Sequence, residues 1–484
     1  MPFSISHTNT TRIFWGLATL LALCLCLSFL LRQTALIYIP FAVLAILFIL
    51  FYDIKVLFFL LLFFIPFSIE YSVTSSLSTD LPDEPMMVSL AGCIILYMVY
   101  QPSVVKRFIH HPLLLMLFLQ LIWVAITVLF SYDQTISLKY MLAKSWYILA
   151  FVFGTCMLIR EKRDFVIIGF CFCVPMLVIM MWTLYNHAFS LFSFKDANHV
   201  MQPFFRNHVN YSSLLACIIP ILLLFYHFAS ALQKRILRII IIITLFGIVF
   251  SYARGAWLAL IVGAAVVYLI RKKLIRKALI VSSVSVLLAV TLLVYNDNYT
   301  RFAPNFNKTI FHSNFGEHIV ATYELTDVST AERFYRWIAG ARMSIKEPIT
   351  GYGPNNFYHH YKQFADNRFK TWVSANEDHS SVHNYFLLLL IEQGIVGMLL
   401  FYFLLFAMFL YAQHLYHRVK DEFYKQVTLA IAAILGMITT VNMLSDLIET
   451  DKIGSLFYVC LGLLIVIDLK TRNEVIQENN AAIS

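Results

Sequence analysis

Charge is what this sequence has least of. Only 13% of its 484 residues are Asp, Glu, Lys or Arg, and 60% are hydrophobic. Soluble domains carry about 25% charged and 45–50% apolar residues. The deficit excludes a soluble globular protein, and a mean hydropathy of +0.76 places the chain among all-α polytopic membrane proteins, where each helix satisfies its own backbone. Cysteine offers no framework. The eight cysteines all fall in apolar runs, and Cys24/Cys26 and Cys171/Cys173 lie two positions apart, which fits neither a zinc nor a thioredoxin spacing; no metal and no disulfide is expected. No Walker loop or Rossmann glycine fingerprint stands in a strand–helix context, so no nucleotide or other cofactor is expected, and any reaction draws its energy from the substrate. Short repeats and low-complexity tracts are also missing. The first apolar run, Ile13–Leu31, is long for a signal h-region and lacks a small-x-small cleavage site, so it is expected to be a span.

What the chain does have is apolar runs near the ~20 residues that cross a bilayer. They predict about fourteen spans, at 13–31, 34–52, 54–69, 86–101, 112–131, 140–159, 165–187, 209–228, 236–252, 255–270, 278–295, 384–411, 426–445 and 454–468. The domain plan is then 1–295 of transmembrane helices, a loop domain at 296–383, closing spans over 384–468 and a polar tail at 469–484. The net charge of +9 comes from short loops, and nucleic acid is not an expected partner. Lys and Arg cluster on one side, at Lys106/Arg107, Arg160/Lys162/Arg163, Lys234/Arg235/Arg238, Arg271 to Lys277 and Arg418/Lys420/Lys425. By the positive-inside rule that side and both termini are cytoplasmic, and the long loop is outside. On the outer side Lys139 and Lys144 count as short-loop lysines, and Asp446 and Glu449 as solvated.

The outer loop holds Ser329-x-x-Glu332, a capping-box pattern, before an amphipathic helix over Arg333–Lys346 that Pro348 ends. Gly351-Tyr352-Gly353-Pro354 is a turn, and Asn355–Phe369 is expected to be a second helix. Candidate chemistry gathers at the outer ends of spans. Arg254, in Ser-Tyr-Ala-Arg-Gly-Ala-Trp (251–257), is either an interfacial anchor or an anion ligand. Arg333 and Arg336 share a helix face beside Trp337 and are either solvated or a phosphate clamp. His383 opens the 384–411 span, capped by Ser380 or Ser381; the positive end of that helix favours a neutral imidazole able to take a proton. His359, His360 and His379 have weaker placement. Arg206, His208 and Asn210 form a second polar wall or a simple capped helix start. Glu392 lies inside an apolar span, where a carboxylate is costly and functional by default, pairing with an arginine or a neighbouring helix.

Three blocks together resemble the O-antigen ligase family, which includes O-antigen polymerases and protein O-oligosaccharyltransferases: Ser251-Tyr-Ala-Arg-Gly-Ala-Trp-Leu-Ala-Leu260, Glu332-Arg333 through Pro348-Ile-Thr-Gly-Tyr-Gly353, and His383-Asn384-Tyr-Phe followed by Glu392-Gln-Gly394-Ile-Val-Gly397. The resemblance covers roughly residues 200–400. It implies a GT-C-type membrane glycosyltransferase with about 12–14 transmembrane helices and a mainly helical periplasmic loop. Such an enzyme moves a glycan from an undecaprenyl-pyrophosphate carrier to lipid A–core oligosaccharide at the bacterial inner membrane, with inversion and without metal or nucleotide. By the same resemblance Arg254 and Arg333 grip the pyrophosphate and His383 acts on the acceptor hydroxyl, with Arg206, His208, Asn210, Arg336, Tyr352, Asn384 and Glu392 as substrate-binding candidates. Polymerase and protein-glycosylating activities are alternatives within the family; a lipid-linked glycan transporter is the non-enzyme alternative.

Overall fold

The computed structural model describes residues 53–74, 77–302, 328–371, 374–376 and 380–483. The spans expected at 13–31 and 34–52, and His379, lie outside the described residues. Among the described residues ten helices are long and apolar enough to cross a membrane: α2 (Asp83–Tyr100), α3 (Pro112–Leu129), α4 (Gln134–Leu158), α5 (Lys162–Phe189), α6 (His208–Phe228), α8 (Arg254–Arg271), α9 (Ile275–Val294), α11 (Tyr385–Arg418), α12 (Glu422–Asn442) and α13, whose apolar part is Asp451–Arg472. Two more helices join the bundle: the short α1 (Ile54–Phe64), and α7 (Ala231–Val249), with Lys234, Arg235 and Arg238 in its first turns. The multi-pass helical architecture follows from these apolar runs. One addition is a small antiparallel hairpin, β1 (Ile69–Thr74) with β2 (Leu77–Leu81), between α1 and α2.

The centre of the bundle is α13, which packs against α4, α6, α11 and α12 with nearly every side chain from Ile453 to Ile467 buried. At the opposite extreme, α9 buries only Ile275, the pattern of a lipid-facing helix. α8 lies along α12; Gly263 faces Met437 and Ala433, and Gly436 faces Val266. Small residues let the two backbones approach closely, which is how membrane helices gain packing energy without a hydrophobic drive.

At one end of the bundle a single carboxylate ties elements together. Asp468 on α13 is fully buried and meets Arg418 at 2.6 Å, Arg472 at 2.8 Å and His111, just before α3, at 3.2 Å. The same end fixes the sense of α8 and α11: His417 Nε2 lies 2.9 Å from the Ile270 carbonyl, and the Ile275 amide donates to Gln413. The two helices therefore run in parallel, and their starts, Arg254 and the His383 region, lie at the other end.

The loop helix α10 is Val328–Lys346. The expected second loop helix is not one helix. Over 355–369 the chain makes only a short turn of helix at Phe357–His360 and 3-10 turns at Tyr361–Phe364 and Asn367–Phe369. Its aromatics bind separate partners: Phe357 stacks on Tyr361, while Phe369 stacks on Phe334. Tertiary packing overrides the local helical pattern.

Candidate functional site

The site is built around a break in α11. Gly394 has φ +67°, ψ −173°, inside an otherwise continuous helix. A break in an apolar environment must find partners for the groups it frees, and the segment 348–353 supplies them. Tyr352 N–H donates to the Ile391 carbonyl at 2.9 Å, Gly353 N–H to Glu392 at 2.9 Å, and Ile395 N–H to the Pro348 carbonyl at 2.9 Å. Trp123 Nε1 closes the set on the Gln393 carbonyl at 2.8 Å. Two glycines make the pairing possible. Gly351 has φ +67° and a Cβ there would meet the Ile391 oxygen at 2.5 Å; a Cβ on Gly394 would run into the Ile349 carbonyl. Asn356, fully buried, pins the turn to α3 and α4 by donating to Ser131 (3.0 Å) and Ser137 (2.9 Å) and accepting from the Asp133 amide (3.2 Å).

Glu392 follows from this geometry. The sequence leaves it to pair with an arginine or a helix, but its Oε1 accepts the Phe357 amide at 3.2 Å, and Asn355 supplies a second backbone donor. It binds the loop rather than a cation. Tyr352 is likewise buried in structure: its ring stacks on Tyr132 at 4.8 Å as its backbone bridges α11 and Tyr132.

His383 stands at the start of the broken helix with φ +53°, a left-handed conformation few non-glycine residues adopt. Asn384, not Ser380 or Ser381, caps α11, accepting from Leu387 N–H at 3.0 Å; its amide also donates to the Met443 carbonyl at 3.0 Å. Ser381 Oγ accepts the His383 amide at 3.2 Å. Burial, followed by the positive charge of Arg336 and Arg333, pushes His383 down to about 3. The direction agrees with the sequence expectation, although the cause is burial and the two guanidiniums rather than the helix terminus.

Arg336 is almost fully buried. It donates to the Ser381 carbonyl at 3.1 Å and to Glu332 at 3.4 Å, and its Nε has no hydrogen-bond partner among the described residues. Glu332 does not act as the expected helix cap. Its Oε1 accepts the hydroxyls of Thr371 and Ser374, so it ties the loop together. Arg342, on the same helix, is engaged with the Phe364 carbonyl and Asp366.

Beyond Ser381 lies a cavity of about 260 Å³ that sequence reasoning does not find. Lys144, Tyr147, Ser381, Glu392, Asp446 and Glu449 supply its polar wall. Lys144 and Glu449, expected in outer short loops, are packed together: Glu449 Oε1 accepts Lys144 Nζ at 2.8 Å, Tyr140 at 3.0 Å and Tyr385 at 2.7 Å. A buried lysine needs such a partner. Asp446 is not solvated either; it bonds Ser381, and burial raises its carboxyl pKa. The only sequence signal was a lysine four residues into the apolar run 140–159, and its partner is 305 positions away.

The remaining candidates are not gathered here. Arg254 is the first residue of α8, at the same end of the bundle as His383. Arg206 pairs with Glu70 of β1 and is largely exposed. His208 begins α6, with Nδ1 2.7 Å from Asn198. Asn207 caps that helix on the Asn210 amide at 2.9 Å, and the Asn210 side-chain oxygen is buried without a partner among the described residues. These three form a separate polar group beside the hairpin. Among the described residues no cluster of three or more His, Cys, Asp or Glu has metal-binding geometry.

Residues 239–402 match the O-antigen ligase family. That region takes in α8, the loop helix, the Gly351–Gly394 pairing and His383, and it leaves out Lys144, Asp446 and Glu449. No curated protein compared with the chain matches it.

Proposed function

Taking as premise a multi-pass membrane protein whose residues 239–402 match the O-antigen ligase family, we propose an O-antigen ligase that transfers a glycan from undecaprenyl pyrophosphate to lipid A–core oligosaccharide. The observation that carries this reading is His383 held neutral beside Arg333 and Arg336, with its amide bonded to Ser381, a residue that lines a polar cavity. A leaving pyrophosphate gains negative charge as the glycosidic bond breaks. Guanidiniums fixed in advance stabilise that charge most in the transition state. Arg333 presents its guanidinium to the leaving group, and the family resemblance assigns the second pyrophosphate contact to Arg254, at the start of α8 and the same end of the bundle. Arg336, tethered to Ser381 and Glu332, acts through its field. A dianion drawn between these arginines offsets the guanidinium part of what depresses His383, and its negative charge favours the imidazolium that forms as the acceptor's proton arrives; the larger part, burial, remains. The acceptor oxygen attacks the anomeric carbon as the carbon–phosphate-oxygen bond breaks, which inverts the centre. The reaction faces the periplasm, because the opposite end carries Arg271, Lys272, Lys273, Arg276 and Lys277 and is cytoplasmic by the positive-inside rule.

The test uses purified full-length protein with carrier-linked glycan and lipid A–core. Transfer to lipid A–core is expected, falling at least about a hundredfold in Arg333→Ala and His383→Ala, the loss typical of a removed oxyanion donor or base. Extension of carrier-linked glycan instead, with lipid A–core untouched, would make the enzyme a polymerase. Retention of the anomeric configuration would rule out direct displacement.

A further inference from the structure

The cavity behind Ser381 has chemistry of its own. Among the described residues that line it the one cation, Lys144, is engaged by Glu449 at 2.8 Å. The cavity therefore offers no unengaged cation to a phosphate or carboxylate, and its carboxyl, hydroxyl and tyrosine groups suit a neutral ligand rich in hydroxyls. Tyrosine rings from Tyr140, Tyr358 and Tyr458 form its sides, flat apolar faces of the kind that pack on the C–H surface of a pyranose. Its volume of about 260 Å³ is below the roughly 300 Å³ at which pockets for drug-sized ligands begin, so it holds one ring and not a chain. Tyr147 adds an independent sign of a missing partner. The residue lines the cavity, and its hydroxyl is buried with no hydrogen bond among the described residues; buried polar groups without partners are rare.

We infer that this cavity is the subsite for the acceptor's terminal sugar, an uncharged hexose-class ring whose hydroxyls are held by Asp446, Glu449 and the Tyr147 hydroxyl. The assignment rests on the glycosyl-transfer reading. Ser381 places it: this residue lines the cavity, bonds Asp446, accepts Arg336 on its carbonyl and the His383 amide on its hydroxyl. Ser381 thus joins the cavity wall to Arg336 and to the backbone of His383, the side on which an attacking hydroxyl is needed.

Tyr147→Phe is the sharpest test, because it removes a hydroxyl that bonds nothing among the described residues. A purely structural tyrosine predicts no loss of function. The subsite predicts a KM for lipid A–core raised about three- to tenfold, the value of one hydrogen bond, with kcat and the KM for carrier-linked glycan unchanged. Asp446→Asn is expected to act in the same direction. Direct binding gives a readout that does not need turnover: methyl glucoside binds the purified full chain in equilibrium dialysis, glucose 6-phosphate binds at least about tenfold more weakly, and Tyr147→Phe weakens the neutral sugar. An unchanged KM with unchanged methyl glucoside binding overturns the assignment, as does a KM change confined to the donor, or equal binding of the phosphorylated sugar. Wild-type protein that binds methyl glucoside in this way but transfers nothing would overturn the transfer reading and leave a sugar site; an active wild type with an unaffected Tyr147→Phe would overturn the cavity alone.

Discussion

His383 is held neutral in the folded chain, and that has a measurable consequence for stability. Its folded value is about 3, against about 6.5 for a free imidazole. Between those values the unfolded chain carries the extra proton. Stability is therefore complete above about 6.5 and falls as pH drops through the window, by about 1.4 kcal/mol at one unit below the free value. Thermal unfolding in detergent at pH 5.5 and 7.5 should show a larger drop for the wild type than for His383→Gln; equal drops would mean that His383 is not held as described. Asp366 does not confuse this measurement. Arg368 lowers it to about 2 from 3.8, so its contribution is lost only as pH falls from about 3.8 to 2, below the window. Part of this was legible: spacing put Arg333 and Arg336 on one helix face, and only the resemblance joined His383 to them; in the fold both guanidiniums act on the His383 imidazole. Lys144 and Asp446 were not, because a lone charge next to an apolar run looks like a loop flank until its partner is seen across the bundle.

The helix α11 and the 348–353 turn form one element in practice. Each supplies the hydrogen bonds that the other lacks, and glycine is required where they touch. Gly394→Ala adds a left-handed alanine, about 1–2 kcal/mol, and a collision with the Ile349 carbonyl. Gly351→Ala does the same against the Ile391 oxygen. Both are expected to lower Tm by several degrees and to abolish transfer, whereas Gly255→Ala, which meets open space, should leave Tm within about a degree. The sequence signalled both glycines as a turn and a helix motif, but not that they were halves of one structure. Pairing across some forty residues leaves no periodic trace. Helices, in contrast, were legible almost throughout, because an apolar run of span length has few alternatives. The exception was 355–369, where each aromatic side chain answers to a different neighbour and local periodicity carries no weight.

For the whole molecule, the alternation of spans puts Gln134 at the same end as His383 and Lys272 at the other. In a cysteine-free background, Gln134→Cys should react with a membrane-impermeant maleimide in cells whose outer membrane has been permeabilised, and Lys272→Cys only after the inner membrane is opened; the reverse pattern would turn the active face toward the cytosol. The position of α13 also governs biosynthesis. Among the described helices the one made after the others is the one around which they close, and it or the turn before it carries the partners of His111 and Lys144. Until it leaves the ribosome, the earlier spans can be threaded into the membrane but lack this axis, and His111 and Lys144 lack the carboxylates that pair with them. A nascent chain stopped before Asp451 should thus be inserted yet open to proteolysis, and quality control of this protein becomes a single late event rather than a span-by-span check.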